Sequence, residues 1–174
     1  MQKPQKLRNF LVEAIPELAQ NPEQLLIFVE GGNLCSTFAQ GLSFEYKYNL
    51  SLVFTDYAGE LAAISIPLLE WLRINQSEIL VNLQQMENAI KFNVEVVDNN
   101  KVDLVIELPL TERVIVKRQD GRLDINYPDE PQYTKASSSQ PVTLFDKNGT
   151  ALASWNSVQS DDYYALDVVM PEHG

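Results

Sequence analysis

The chain has 174 residues, 45% of them hydrophobic, enough for one domain with an ordinary core. Its 24 acidic residues outnumber 13 basic ones, giving a net charge of −11 that argues against a nucleic-acid groove or an anionic membrane surface as the main partner. The one cysteine, Cys35, excludes an intrachain disulfide and, set between Leu34 and the apolar Phe38, reads as a small buried hydrophobe.

Met1-Gln2-Lys3-Pro4 lacks the apolar centre of a signal peptide, and no run reaches the ~18 apolar residues of a membrane span, so a cytoplasmic protein is expected. Leu7, Phe10, Leu11, Ala14, Ile15 and Leu18 then recur at helical spacing and predict an amphipathic helix that Pro16 kinks or ends near Ala14. Asn21-Pro22 marks a turn, and the apolar run in 24–30 predicts a buried strand. Gly31-Gly32-Asn33 punctuates it before a second short strand at 35–39.

The clearest local signal follows. Phe44, Tyr46, Tyr48, Leu50, Leu52 and Phe54 alternate with Ser43, Glu45, Lys47, Asn49, Ser51 and Val53, a period of two that only a β-strand presents as two faces. Its polar face, led by Glu45, Lys47 and Asn49, meets either water or a partner. Asp56-Tyr57-Ala58-Gly59 is a loop signal, and a helix is expected over 67–75, with Pro67 in its first turn and Ile66, Leu69, Trp71 and Leu72 along it. The stretch 77–89 fits a loop as well as a short helix.

Strands are predicted at 91–97 and 102–110, joined by Asp98-Asn99-Asn100-Lys101, with Pro109 marking an edge or a bulge. Thr111-Glu112-Arg113 reads as a charged turn or an assembly contact. A hairpin follows, 113–118 with 123–127, around the favoured Asp120-Gly121 turn. Pro128-Asp129-Glu130-Pro131 and Ser137-Ser138-Ser139 look like linker, 142–145 and 151–155 form a second hairpin, and 157–174 shows no clear period. The expected fold is α+β: a mostly antiparallel sheet with two main helices packed on one side, plus a small C-terminal β-hairpin. The expected organisation is 1–127 as the main domain, 128–141 as linker, 142–156 as hairpin and 157–174 as an acidic, flexible extension.

No catalytic set emerges. The single histidine, His173, lies next to the last residue, which leaves no His-based nucleophile, triad or zinc site. Gly31-Gly32 is followed by no phosphate-loop pattern. Asp56 and Glu60 match no calcium-loop spacing. No enzyme activity, cofactor or metal is expected, and the candidate functional residues are the interaction residues Glu45, Lys47, Asn49, Thr111, Glu112 and Arg113.

The order of several short motifs resembles the tail completion protein R family of contractile-tailed temperate phages. Those motifs are Lys6-Leu7-Arg8, Asn21-Pro22, Leu25-Leu26-Ile27-Phe28-Val29, Leu42-Ser43-Phe44-Glu45-Tyr46-Lys47-Tyr48, Thr55-Asp56-Tyr57-Ala58-Gly59 and Pro67-Leu68-Leu69-Glu70-Trp71-Leu72-Arg73-Ile74-Asn75-Gln76. Leu108-Pro109-Leu110-Thr111-Glu112-Arg113 follows more loosely, and the resemblance resumes over 142–155, leaving 128–141 and 157–174 poorly matched.

The resemblance implies a structural tail-completion (tail-terminator) protein with no catalytic residues to carry over. Such a protein caps the tail tube and sheath, acts as a ring oligomer, a hexamer by analogy, and offers the surface to which the head joins through a head-completion or neck protein. It implies assembly in the host cytoplasm and a place in the virion tail. DNA would pass the ring without sequence-specific contact, and an acidic lining would repel phosphates. Alternatives left open are a head-side neck or connector protein, a component of a headless phage-derived contractile particle, a small enzyme and a monomeric binding module.

Overall fold

In a computed structural model the described residues are 1–36, 41–81, 89–98, 100–131 and 138–157. The chain opens with helix α1 (Lys3–Ala14), which buries Leu7, Leu11 and Ala14. Ile15 turns extended, because the Pro16 ring forbids a continuous helix, and the short α2 (Pro16–Gln20) resumes the stripe with Leu18. The sequence expectation at Pro16 therefore holds.

The sheet begins with β1 (Leu25–Ser36) and β2 (Phe44–Tyr57), an antiparallel pair. Helix α3 (Ala62–Asn75) and one turn of α4 (Glu78–Val81) come next. The chain then adds β3 (Lys91–Val96), β4 (Val102–Gln119) and β5 (Arg122–Asn126). The strand order is β1-β2-β4-β3, with β5 on the far end of β4, and all pairings are antiparallel. Strand β4, about 60 Å long at ~3.3 Å per residue, holds β2 along one side. Its other side takes β3 at one end and β5 at the other.

The core lies on one face of this sheet. Leu50, Leu52 and Phe54 of β2 and Leu104, Ile106, Leu108 and Leu110 of β4 are buried against Leu7, Leu11 and Ile15 and against Ile64, Leu68, Trp71 and Leu72 of α3. Each such side chain contributes about 1.5–3 kcal/mol. The hairpin β6 (Pro141–Phe145) and β7 (Ala151–Asn156) packs through β7 on α1 and α3, burying Ala153. The described architecture is thus sheet, two main helices, then hairpin, the expected α+β arrangement with mostly antiparallel strands. Among the described residues no helix is long and apolar enough to cross a membrane.

Several local expectations are corrected. β1 is one strand rather than two: Gly31, at φ +71°, forms a bulge between Glu30 and Gly32, and pairing with β2 resumes beyond it. Residues 37–40, the end of the expected second strand, lie outside the described residues. Cys35 is exposed instead of buried, because β1 past the bulge is an edge strand whose residues are all exposed. Helix α3 starts five residues before Pro67, which sits in its interior, buried. The buried stripe is therefore Ala63, Ile64, Pro67, Leu68, Trp71 and Leu72, and Ile66 and Leu69 face outward.

The expected break at Thr111-Glu112-Arg113 is absent, since these residues lie in mid-strand in β4. The Asp120-Gly121 turn forms as expected, with φ +50° and +80°, the two positive values that a tight hairpin turn matching strand twist requires. Of the ambiguous stretch 77–89, α4 is helical, 82–88 lies outside the described residues, and so do 132–137 of the expected linker and 158–174 of the expected extension.

At Gly31 any Cβ is forced into left-handed backbone, and at Gly32 it would stand 2.9 Å from the Lys47 carbonyl oxygen. Gly31→Ala is expected to cost about 1–2 kcal/mol, read as a lowered melting temperature. An unchanged melt would mean that the bulge carries no strain.

Candidate functional site

Register across the sheet sorts the candidate residues onto two faces. Cys35, Glu45 and Arg113 form one cross-strand row, Asn33, Lys47 and Thr111 the next, and Glu30, Asn49 and Pro109 a third. These rows lie on the face away from the helices, because the intervening residues, Tyr48, Leu50, Leu108 and Leu110, enter the core. Lys47, Asn49 and Arg113 are exposed and Glu45 is half-buried. Lys47 Nζ stands 3.3 Å from Glu45 Oε2, two residues along the same strand. Such exposed pairs add little to stability. Ser51, expected on the same face, is buried: its short side chain lies between its cross-strand neighbours Phe28 and Glu107.

Glu112 faces the other way. It is 3% exposed and in phase with the core residues Leu108, Leu110 and Val114. Its carboxylate accepts the backbone N–H of Gln2 at 2.6 Å and that of Lys3 at 3.2 Å, and the Tyr48 hydroxyl donates to the same Oε1. The first amides of α1 have no partner within the helix, and Gln2, the N-cap, supplies no side-chain bond. A strand carboxylate therefore caps the helix from outside, where the helix dipole favours negative charge by up to ~2 kcal/mol.

The cap is extended by neighbours. The buried Lys3 ammonium donates to Gln76 Oε1 at 2.8 Å and to Glu130 Oε1 at 2.7 Å. Gln76, at the C-cap of α3, also accepts the Thr111 backbone N–H at 3.1 Å and donates to Thr111 Oγ1 at 3.0 Å. That N–H points to the side of β4 beyond the end of β3, whose pairing stops at Glu107. Pro109, two residues earlier, turns its nitrogen to the same side, where no ladder partner is needed, which is the edge position the sequence predicted. Lys3, Tyr48, Gln76 and Glu130 were not among the sequence candidates. Only Glu112 left a trace there, as an acid in phase with five core residues of one strand.

Burial pushes the Tyr48 phenol up from its ordinary 10.0, with the hydrogen bond to Glu112 and that carboxylate's charge acting in the same direction. The Tyr57 phenol is likewise raised by burial, then by the charges of Glu17 and Glu60. In the small hairpin, Asp146 is lowered first by the Thr150 backbone N–H, with the Asn148 amides adding to it. Among the described residues no three His, Cys, Asp or Glu side chains are gathered as a metal set. Asp56, weighed as a cation ligand, has its carboxylate 3.9 Å from Lys101 Nζ. One face of the sheet thus holds a buried polar network and the other carries exposed charge.

Comparison with known proteins gives two matches. A family described as P2 phage tail completion protein R (GpR) matches residues 1–131. The tail completion protein R of Escherichia phage P2 is 35% identical over 156 residues, covering 90% of this chain and 99% of that protein. No solved structure matches significantly.

Two outcomes check the anchor. Glu112→Ala strands two helix amides and the Tyr48 hydroxyl and should cost roughly 3 kcal/mol, seen as a lower urea midpoint, whereas Arg113→Ala next to it should change stability by less than ~0.5 kcal/mol. Equal effects would refute the anchor. The raised phenols stabilise the fold fully below pH 10.0, the unfolded value, and that stability is lost as pH rises above it. The urea midpoint should therefore fall in alkali, and fall less steeply in the double variant Tyr48→Phe/Tyr57→Phe.

Proposed function

We propose, from the premise that this chain belongs to the P2 phage tail completion protein R family, that it terminates the growing phage tail. In this reading it caps the tube and sheath once they reach length and presents the surface on which the head-completion or neck protein docks. It does so as a closed ring of identical subunits, a hexamer, with no catalytic step. It is built in the host cytoplasm and carried in the virion tail.

The observation that carries this reading is the division of labour between the sheet's two faces. One face is filled by helices and anchored by Glu112. The other is left open over the rows of Glu45, Lys47, Asn49 and Arg113, a solvated strip of mixed charge suited to docking against tail or neck proteins. Glu112 and Thr111 then serve the site from behind, by fixing β4 against α1 and α3. An excess of 24 acids over 13 bases suits a ring through which DNA passes without sticking.

Electron microscopy of particles from a host lacking this gene is the test. Headless tails of irregular or excessive length beside unjoined full heads are expected, with normal particles on complementation. Normal-length tails joined to heads would overturn the proposal, and unjoined heads beside tails of normal length would favour a head-side connector.

A further inference from the structure

The two outer strands of the sheet fit one another. Before its glycine bulge β1 offers six regular residues, Leu25 to Glu30, and β3 on the opposite edge is six residues long, Lys91–Val96. Neither has a strand on its outer side among the described residues. Natural edge strands are usually guarded by charges, prolines or covering loops. This half of β1 has no proline and a single charge, Glu30, and leaves Leu26, Phe28 and Val29 exposed. β3 leaves Phe92 and Val96 exposed at 72% and 71%.

Direction and face agree as well. β1, β2, β4 and β3 alternate in direction, so a second copy placed side by side in the same orientation lays its β3 antiparallel to β1. On the helix side of the sheet β1 carries Leu25, Ile27 and Val29, and β3 carries Phe92, Val94 and Val96. The register that sets Glu30 opposite Lys91 also sets Val29 opposite Phe92, Ile27 opposite Val94 and Leu25 opposite Val96. A slip of one residue would put every apolar side chain on the wrong face. Glu30 and Lys91 form no ion pair with the described residues of their own chain, so each is available to the other.

We infer that the Leu25-to-Glu30 edge of one copy pairs with the Lys91–Val96 edge of the next, continuing the sheet from subunit to subunit. The contact is head-to-tail, so it leaves one edge of each kind unused until the series closes. For its closure into a ring the inference rests on the function proposed above.

Disulfide trapping tests it in the full chain carrying Cys35→Ser. Phe28 and Asn93 fall opposite one another in this register and on the open face, at the separation a cross-strand disulfide spans. Mixing a Phe28→Cys protein with an Asn93→Cys protein under mild oxidation should convert most of the chain to disulfide dimers, while neither protein alone should link. A mixture of Ile27→Cys and Asn93→Cys, whose side chains lie on opposite faces, should stay unlinked. Linking in that control, no linking in the first mixture, or dimers of Phe28→Cys alone (a two-fold β1–β1 contact) would each overturn the pairing. If the first mixture fails while tail tips from wild-type particles still show rings, only the edge pairing is lost. If it links but one chain carrying both Phe28→Cys and Asn93→Cys gives open ladders and no closed ring, the pairing stands and the ring does not.

Discussion

Everything in this fold turns on how a helix is held against a long strand by one carboxylate. The first amides of an α-helix need partners, and in α1 the sequence offers none locally. Glu112 meets that need from mid-strand, and the negative charge so buried is balanced by the two amides at the positive end of the helix dipole and by the Tyr48 hydroxyl. The charge is costly to bury unpaired, so the arrangement specifies where α1 begins and which turn of it meets β4. Gln76 repeats the device for α3, using its amide to link that helix's end to Thr111 and to Lys3. Both helices are thereby indexed to two adjacent residues of one strand, Thr111 and Glu112. A charged triplet that reads as a turn in the sequence is the reference point of the structure.

What the sequence disclosed, and what it hid, follows from the range of the forces involved. Local periodicity exposed β2, since alternation over ten or more residues has one physical reading, but it gave β4 only as two strands either side of Thr111-Glu112-Arg113, and Pro16 located the break between α1 and α2 through its own ring. Asp120-Gly121 declared its turn by backbone preference alone. Local signals do not suffice where a residue's role depends on distant neighbours. Pro67 is a good first-turn residue, but here buried packing on both sides offsets its missing N–H and the helix runs through it. Gly31-Gly32 looked like an end and is a bulge, because β2 continues opposite it. The open face was half visible: Lys47 and Asn49 lie where alternation puts them, whereas Ser51 is covered by neighbours from two other strands. The polar anchor could not be assembled from spacing, since its members are separated by as many as 127 residues. Its one legible sign was Glu112 standing where an aliphatic residue belongs.

The open face and the two outer edges of the sheet answer to different constraints. The face is a set of side chains whose charges can change without disturbing the fold, because the β2 backbone beneath Glu45, Lys47 and Asn49 is already paired to a strand on each side. The edges are made of backbone groups, so their capacity to bind depends on strand length and direction and only secondarily on side-chain identity. A protein whose contacts must repeat identically around an axis gains from the second kind, and one that must distinguish among partners gains from the first.

The contacts that seat α1 also govern the order in which the molecule can form. Its cap lies about 110 residues away, at Glu112, and its outer surface is covered by β7, at the other end of the described chain. During synthesis α1 can lay its apolar stripe on β2 and α3 once those have followed, but its capped end waits for β4 and its packing is completed only by β7. Contacts of such long sequence separation make folding slow relative to proteins built from local pairings. Until β4 and β7 have followed, the start of α1 is uncapped and its packing incomplete, a period in which it is open to chaperones and to self-association. Among the described residues the last strand pair, β6 and β7, thus completes the seat of a helix near the opposite end of the sequence, after the five-stranded sheet has been made.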